Sequence, residues 1–381
     1  MDLGKVALSM ANQARVKYLW GTGLNKWLYA VSYARREGKQ LNVVCAIDSL
    51  SAGAGGSSPI DFFRPKIQEI LGDGGIGFIA ANNSAVVAEG GTLGASGATQ
   101  RTNAAFDPAS DDKYCPNLYS MVFTDSGGYA NLSDKNHIFT KAKVMYLQQP
   151  GGGTFKWGDA AYAAGRIDIN TDGEKAVKFV EHTGTFPAQL GNTVQIGNVV
   201  GPVQVMGVDL RNGNSGVRVH RLAQGGTQTR QVAQLDGAMY TAVLKNIGCD
   251  LFILNTGMND SGTTAFPAET VDTDIRTILG WVRAANPNAA ILLVMPNETA
   301  DANRNALLET YRLKILKIAL DFDAVIFDTR WVIGNYTQAQ AKGLMNDSIH
   351  PHPTNANPMI GEALFNFIGG SNLANIEGVL S

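Results

Sequence analysis

Three short segments hold side chains whose combination could carry out acyl transfer. Asp347-Ser348-Ile349-His350 places a carboxylate three residues before an imidazole. Within one turn of chain the acid can accept from one ring nitrogen while the other nitrogen faces outward, the base and orienting partner of a serine triad. Asp48-Ser49-Leu50-Ser51 follows the apolar run Leu41–Ile47 directly, which puts Ser49 at the carboxyl end of a buried strand, where an open α/β sheet exposes reactive groups. Asn255-Thr256-Gly257-Met258-Asn259-Asp260 closes another apolar run; Gly257 permits a tight turn and Asn259 can offer an amide N–H to a cleft. Taken singly, each has a plainer explanation, because serine often caps helices and Gly, Asn and Asp are turn residues.

Two competing chemistries have weaker support. His352 forms an H-x-H pair with His350, which with Asp347 would be three metal ligands, but His137, His182 and His220 lie in other segments and no metal is expected. Gly72-Asp73-Gly74-Gly75-Ile76-Gly77 satisfies the dinucleotide fingerprint G-x-G-x-x-G, yet a helical segment precedes it and no strand–turn–helix unit surrounds it. No P-loop or G-x-S-x-G elbow occurs, so no cofactor is expected. The three cysteines, Cys45, Cys115 and Cys249, are too few and scattered for a disulfide framework; buried free thiols are expected for Cys45 and Cys249, with a bridge from Cys115 left open.

The positioning elements follow from periodicity. LNVVCAI (41–47), GVRVHRL (216–222), DLFIL (250–254), AILLVM (290–295) and AVIFD (324–328) are nearly continuous apolar runs, the pattern of strands buried on both faces. Helical patterns lie between them: from Ser58-Pro59 to Leu71, with Pro65 as a kink or a late start; over 229–247; around Val271–Val282; over 303–320; and around Met359–Phe367. A weaker helical pattern covers Asn25–Arg36. Strands that alternate with helices predict a doubly wound, flavodoxin-like parallel sheet of about five strands, with its functional groups beyond the strands' carboxyl ends. Between Leu71 and Val217 the rhythm changes to period-two alternation with glycine punctuation, as in GRIDIN, KAVKFVE and GPVQVMGV. This predicts an inserted β-sandwich over 110–215, flanked by α/β segments 41–109 and 216–381 and preceded by an extension over 1–40.

Composition agrees. Of 381 residues 45% are hydrophobic, enough for large cores, while charged residues reach only 17% against a usual value of about 25%. The 31 basic and 33 acidic residues give a net charge of −2, which provides no footprint for nucleic acid. No apolar run is long enough to span a membrane and the N-terminus makes a poor signal peptide.

In this order the segments resemble the SGNH hydrolase (GDSL esterase) family. Asp48-Ser49-Leu50-Ser51 is similar to its first block, whose serine is the nucleophile. Gly225-Gly226-Thr227 is similar to the second, Gly257-Met258-Asn259-Asp260 to the third and Asp347-Ser348-Ile349-His350 to the fifth. The resemblance implies a Ser49–His350–Asp347 triad and an oxyanion hole from the N–H groups of Ser49 and Gly226 (rather than Gly225) and the Asn259 side chain. One departure is Ile47, where the family usually has glycine; a side chain there would tighten the turn or alter the cleft floor. Some members with an inserted sandwich deacetylate polysaccharides, including phage tail proteins. The resemblance therefore implies an esterase acting on short acyl esters, acetyl above all, of a polysaccharide or small molecule, outside the cell or on a virion; as a tail component it would form homo-oligomers, trimers in that setting. Phe155, Trp157 and Tyr162 are the candidate sugar-stacking residues, with a sandwich core as their alternative place. A non-catalytic glycan-binding module, a structural tail component and a metallohydrolase are the competing readings.

Overall fold

The computed structural model describes residues 22–52, 57–82, 91–124, 126–182, 184–262 and 265–378. Five strands, Gln40–Ile47, Gly216–Ala223, Leu251–Asn255, Ala290–Met295 and Val325–Asp328, form one all-parallel sheet. Numbered by their place in the chain, they lie side by side in the order 2-1-3-4-5, the flavodoxin-like arrangement whose switch point falls between the first and third strands.

Alternate residues of each strand serve opposite faces. Val44, Ala46, Phe252, Leu254, Ile291 and Leu293 join the core beneath helices Gly237–Ile247, Ala268–Ala285 and Ala302–Asp321. Val43, Cys45, Leu251, Ile253 and Leu292 face helices Gly23–Glu37, Pro59–Leu71 and Asn357–Phe367. Both faces are covered, which is why these strands read as unbroken apolar runs.

Several expectations need correction. The helix expected over Asn25–Arg36 spans Gly23–Glu37, with Trp27 and Val31 fully buried; residues 1–21 lie outside the described residues. Helix Pro59–Leu71 continues through Pro65, because the Ser58–Asp61 capping box starts it a full turn and a half earlier, which excludes the late start. The 229–247 segment is two helices, Thr229–Ala233 and Gly237–Ile247, since Asp236 caps a fresh start by accepting from the Met239 N–H at 2.8 Å. The Gly72–Gly77 stretch leads into a strand, Gly77–Ala80, and not into a helix; a Cβ at Gly75 would lie 2.6 Å from the Asn212 nitrogen, so these glycines serve backbone packing. Cys115 is a buried free thiol, as are Cys45 and Cys249.

The period-two segments form two antiparallel sheets packed face to face. One holds Ala176–Glu181, Lys141–Gln148, Val203–Arg211, Ser120–Phe123 and Ala98–Arg101 in that order, with Gly77–Ala80 also paired to Val203–Arg211. The other runs Thr92–Ser96, Tyr129–Ser133, Thr193–Val200, Thr154–Asp159, Ile167–Asn170. Strands Gly77–Ala80, Thr92–Ser96 and Ala98–Arg101 therefore precede position 110; rich in Gly, Ala, Ser and Thr, they carry too little apolar alternation to be legible. Phe155 and Trp157 are 1% and 0% exposed and fill the core between the sheets with Phe139, Val205 and Leu210. They cannot stack on a sugar. Tyr162, in a turn, is 64% exposed.

The six-stranded sheet is also buried on its other face. Phe78, Ala80, Met145, Leu147 and Met206 enter the same core as Val243 and Leu244 of the α/β unit. Beside them the Arg218 guanidinium donates to both Asp209 oxygens at 2.7 and 2.5 Å and to Asn42 Oδ1 at 2.7 Å. His220, fully buried on the same strand, accepts from the Phe78 N–H at 2.9 Å through Nδ1. Burial pushes its imidazole down to about 3; Arg218, Arg64 and Lys143 act in the same direction and Asp209 opposes.

Two expectations follow. Trp157→Ala should cost about 3–5 kcal/mol in denaturant unfolding, as large-to-small changes in packed cores do; a loss under about 1 kcal/mol would place the ring outside the core. Because unfolded His220 takes a proton near its ordinary value of about 6.5, the unfolded chain binds more protons between that value and about 3. Stability is therefore full above the window and falls as pH drops through it. Unfolding free energies measured from neutrality down to about pH 4 should decline less steeply in His220→Gln, whose carbonyl can keep the Phe78 bond; parallel slopes would exclude His220 as the cause.

Candidate active site

The chain turns sharply at the end of the first strand. Ile47 is its last residue, with φ at +91°, and its carbonyl accepts from the Gln224 N–H at 2.8 Å. The turn delivers Asp48 and Ser49 to a four-residue helix, Ser49–Ala52, above the sheet. Asn255, the last residue of the neighbouring third strand, pins this turn: its Nδ2 donates to Asp48 Oδ1 at 3.1 Å and to Ser51 Oγ at 2.7 Å. Ser49 itself is 5% exposed.

Across 301 positions of sequence, Ser49 Oγ lies 3.1 Å from His350 Nε2. His350 Nδ1 lies 2.8 Å from Asp347 Oδ2, while Asp347 Oδ1 accepts from the backbone N–H groups of Ile349 and His350, each at 2.7 Å. A carboxylate only accepts, so Nδ1 carries the proton and the Nε2 lone pair faces the Ser49 hydroxyl. Burial pushes the Asp347 carboxyl up, but the backbone N–H and ring of His350 and the N–H of Ile349 outweigh it and hold the group below the usual carboxylate range. The loop is fastened from below: Asn297 Nδ2 donates to the Ile349 carbonyl at 2.8 Å, and the Ala300 N–H to the Ser348 carbonyl at 2.9 Å.

The second and third loops meet on the other side. Gly226 has φ at +79°, a conformation that favours glycine, whereas Gly225 does not. Gly257 has φ at +83°, and a Cβ there would lie 2.8 Å from the Tyr311 ring. Asn259 Nδ2 donates to the Thr227 carbonyl at 2.9 Å, leaving its second amide hydrogen for another acceptor. Asp260 ties the loops together, since its Oδ2 accepts from the N–H and hydroxyl of Thr229 at 3.1 and 2.8 Å. Burial raises its pKa, and the two Thr229 bonds oppose the rise.

His352 does not share the focus of His350. Its Nδ1 faces the N–H and hydroxyl of Thr354 at 3.3 and 3.2 Å. Among the described residues no group of three His, Cys, Asp or Glu side chains converges as a metal site.

The positioning roles of three asparagines escaped the sequence reading. Asn255 and Asn297 had a signal, a polar residue just past an apolar strand, but nothing marked what they would hold. Asn103 had none: it follows strand Ala98–Arg101 of the antiparallel unit, and its Nδ2 donates to the Gly225 carbonyl at 3.0 Å and to Thr227 Oγ1 at 3.3 Å.

Comparison with known proteins finds likeness in part of the sequence and in the fold. Residues 187–354 match the GDSL-like Lipase/Acylhydrolase family, a stretch that includes Gly226, Asn259, Asp347 and His350 and excludes Ser49. A solved structure described as a peptidoglycan O-acetylesterase in action superposes with a TM-score of 0.68 at 17% identity, covering 91% of this chain and 96% of its own. A carbohydrate esterase of family 3 from Talaromyces cellulolyticus is also similar, at 20% identity over 39% of this chain and 72% of its own, with a TM-score of 0.31. None of the curated proteins matches the sequence. The fold is that of the SGNH hydrolases. Residues 187–354 are thus similar to GDSL-like lipases and acylhydrolases, and the chain as a whole shares the fold of the O-acetylesterase structure.

The Asp347 geometry makes a sharp expectation. In Asp347→Asn, Oδ1 keeps its two backbone donors, so the new NH2 faces His350 Nδ1 and forces the proton onto Nε2, toward Ser49. Ester turnover should fall by about four orders of magnitude in kcat with the fold intact. Wild-type kcat in this variant would show that the tautomer is set elsewhere.

Proposed function

We propose that the protein is a serine esterase that removes short acyl groups, acetyl above all, from a polysaccharide. The observation that carries the reading is the continuous hydrogen-bonded path from Ser49 Oγ through the His350 ring to Asp347, with spacings of 3.1 and 2.8 Å. Ser49 Oγ attacks the ester carbonyl carbon as its proton passes to His350 Nε2, and Asp347 stabilises the imidazolium. The tetrahedral intermediate collapses when His350 returns the proton to the departing alkoxide, which leaves as the sugar alcohol. Water then attacks the acyl-Ser49, losing its proton to His350, which returns it to Ser49 Oγ as the second tetrahedral intermediate collapses and releases the carboxylic acid. The N–H groups of Ser49 and Gly226 and the Asn259 amide receive the oxyanion in both steps. One such donor is commonly worth about 10²–10³ in rate. No cofactor enters this scheme.

The polysaccharide part of the reading is supported by fold likeness to a peptidoglycan O-acetylesterase over nearly the whole chain, the antiparallel sheets included. In this proposal the chain works as two units, an α/β unit that holds the chemistry and an antiparallel unit, from Gly77 to Arg211, that borders the cleft.

A series of aryl esters of increasing acyl length, assayed beside acetylated polysaccharides, tests both halves. The acetate should be the best aryl ester, acetate should be released from the glycan, and Ser49→Ala should abolish both while melting at the wild-type temperature. A folded Ser49→Ala protein that still turns over aryl acetate would rule out this triad.

A further inference from the structure

We propose that a polar cleft on the antiparallel unit is a saccharide subsite, receiving a neutral, hydroxyl-rich sugar unit next to the one that carries the ester; the proposal rests on the esterase reading above. The cleft measures about 290 Å³ and is lined by Arg101, Ser110, Asp111, Val122, Gln149 and Gln204, with Pro202 and Val203 at its edge. Its volume is close to the lower end of the usual range for ligand cavities, roughly 300–1,000 Å³, which favours one ring over an extended chain.

The pleat fixes where the cleft lies. Met121, Phe123, Val203 and Val205 face the sandwich core, so Val122 and Gln204, between them in sequence, face the other way. That is the side on which Leu147 and Met206 join the core of the α/β unit. The cleft therefore opens where this face runs out from under the α/β unit. Arg101, at its rim, is two residues from Asn103, a span of at most about 7 Å of chain. Asn103 is the residue whose amide holds the Gly225 carbonyl and the Thr227 hydroxyl. A glycan with its ester at Ser49 can thus pass from the Gly226 loop over Asn103 into the cleft.

The lining chemistry selects the ligand. Both formal charges are already answered: Arg101 Nη1 lies 2.7 Å from Asp112 Oδ1, and Lys175 Nζ lies 2.7 Å from Asp111 Oδ1. The site has no charge left to balance, which disfavours phosphate, sulfate or an ammonium ligand. What it offers is a mixture of donors and acceptors from one hydroxyl, two carboxamides, a guanidinium and a carboxylate. Sugar hydroxyls, each both donor and acceptor, match that mixture. Val122 and Pro202 supply an apolar strip for the C–H face of a ring. Gln204 is preset for the task, 4% exposed and held by Nε2 to Ser120 Oγ at 3.1 Å and Cys115 Sγ at 3.2 Å.

The test uses the full chain with two variants outside the acyl-transfer machinery: Gln149→Ala, which removes polar partners, and Val122→Phe, which fills the cleft. On O-acetylated chito-oligosaccharides longer than the disaccharide, each should lower kcat/KM about tenfold, the equivalent of one or two lost hydrogen bonds. Aryl acetate hydrolysis and melting temperature should stay at wild-type values. Unchanged kinetics on the long substrates in both variants would overturn the subsite, as would an equal loss on aryl acetate accompanied by a lowered melting temperature. Binding separates this proposal from the esterase reading. Titration of Ser49→Ala protein with the same oligosaccharides should show the tenfold weakening on adding Gln149→Ala, whether or not wild-type protein hydrolyses them. Identical affinities would sink the subsite even if the esterase stands.

Discussion

The pairing on which the site depends is that of strand Gln40–Ile47, which lies in the sheet between Gly216–Ala223 and Leu251–Asn255. Ala46 stands opposite Leu222 on one side and Leu254 on the other, so the three strands end together. Their carboxyl ends are where Ser49, the Gly226 loop and the Asn259 loop begin. Parallel register alone thus gathers groups separated by more than two hundred positions. The apolar side chains on both faces hold that register, because a slip of one residue would exchange the two covered faces along the whole strand. The family match begins at residue 187 and omits Ser49; the antiparallel unit separates the serine from its partners in sequence, and the sheet brings them back.

The antiparallel unit is more than a neighbour to this arrangement. Its six-stranded sheet shares a core with the α/β helices, and Arg218, held to Asn42 on the neighbouring parallel strand, binds Asp209 across the seam. A buried guanidinium with a bidentate carboxylate and two further acceptors is costly to separate, since loss of either partner leaves an uncompensated charge. Rigid attachment matters here because Asn103 reaches from this unit to the Gly225–Thr227 backbone. A hinged unit would pass its motion to that backbone, which in the proposed mechanism supplies an oxyanion donor whose worth depends on close placement.

Much of this was legible in the sequence and some was not, for identifiable reasons. The parallel strands were readable because double burial leaves continuous apolar runs, and the loops after them because Ser, Gly, Asn, Asp and His sit at their ends. Strands Thr92–Ser96 and Ala98–Arg101 were not, since mostly exposed small and polar residues show no period. Phe155 and Trp157 were ambiguous in principle: an aromatic on alternating positions of a strand looks the same whether its face meets a sugar or another sheet. Only the second sheet, packed over them, decides. Asn103 is harder still, because its importance comes from a contact 122 positions away with a backbone carbonyl, which leaves no trace in local pattern.

Ile47 shows how a departure from a family pattern can preserve the geometry it seems to threaten. The position usually holds glycine, and the backbone explains why: φ is +91°, a region costly for a β-branched residue, by roughly 1–3 kcal/mol. The side chain is 2% exposed and packs into the core beneath the site with Val44, Phe78 and Leu222. Burial of such a side chain contributes about 1.5–3 kcal/mol, enough to offset the strain. The Gln224 N–H bond to the Ile47 carbonyl and the Asn255 bonds to Asp48 and Ser51 fix the turn on either side of it. The isoleucine side chain therefore lies in the core, and these bonds fix the turn above it. Ser49 reaches His350 because the strain is balanced one residue below the aspartate, inside the core.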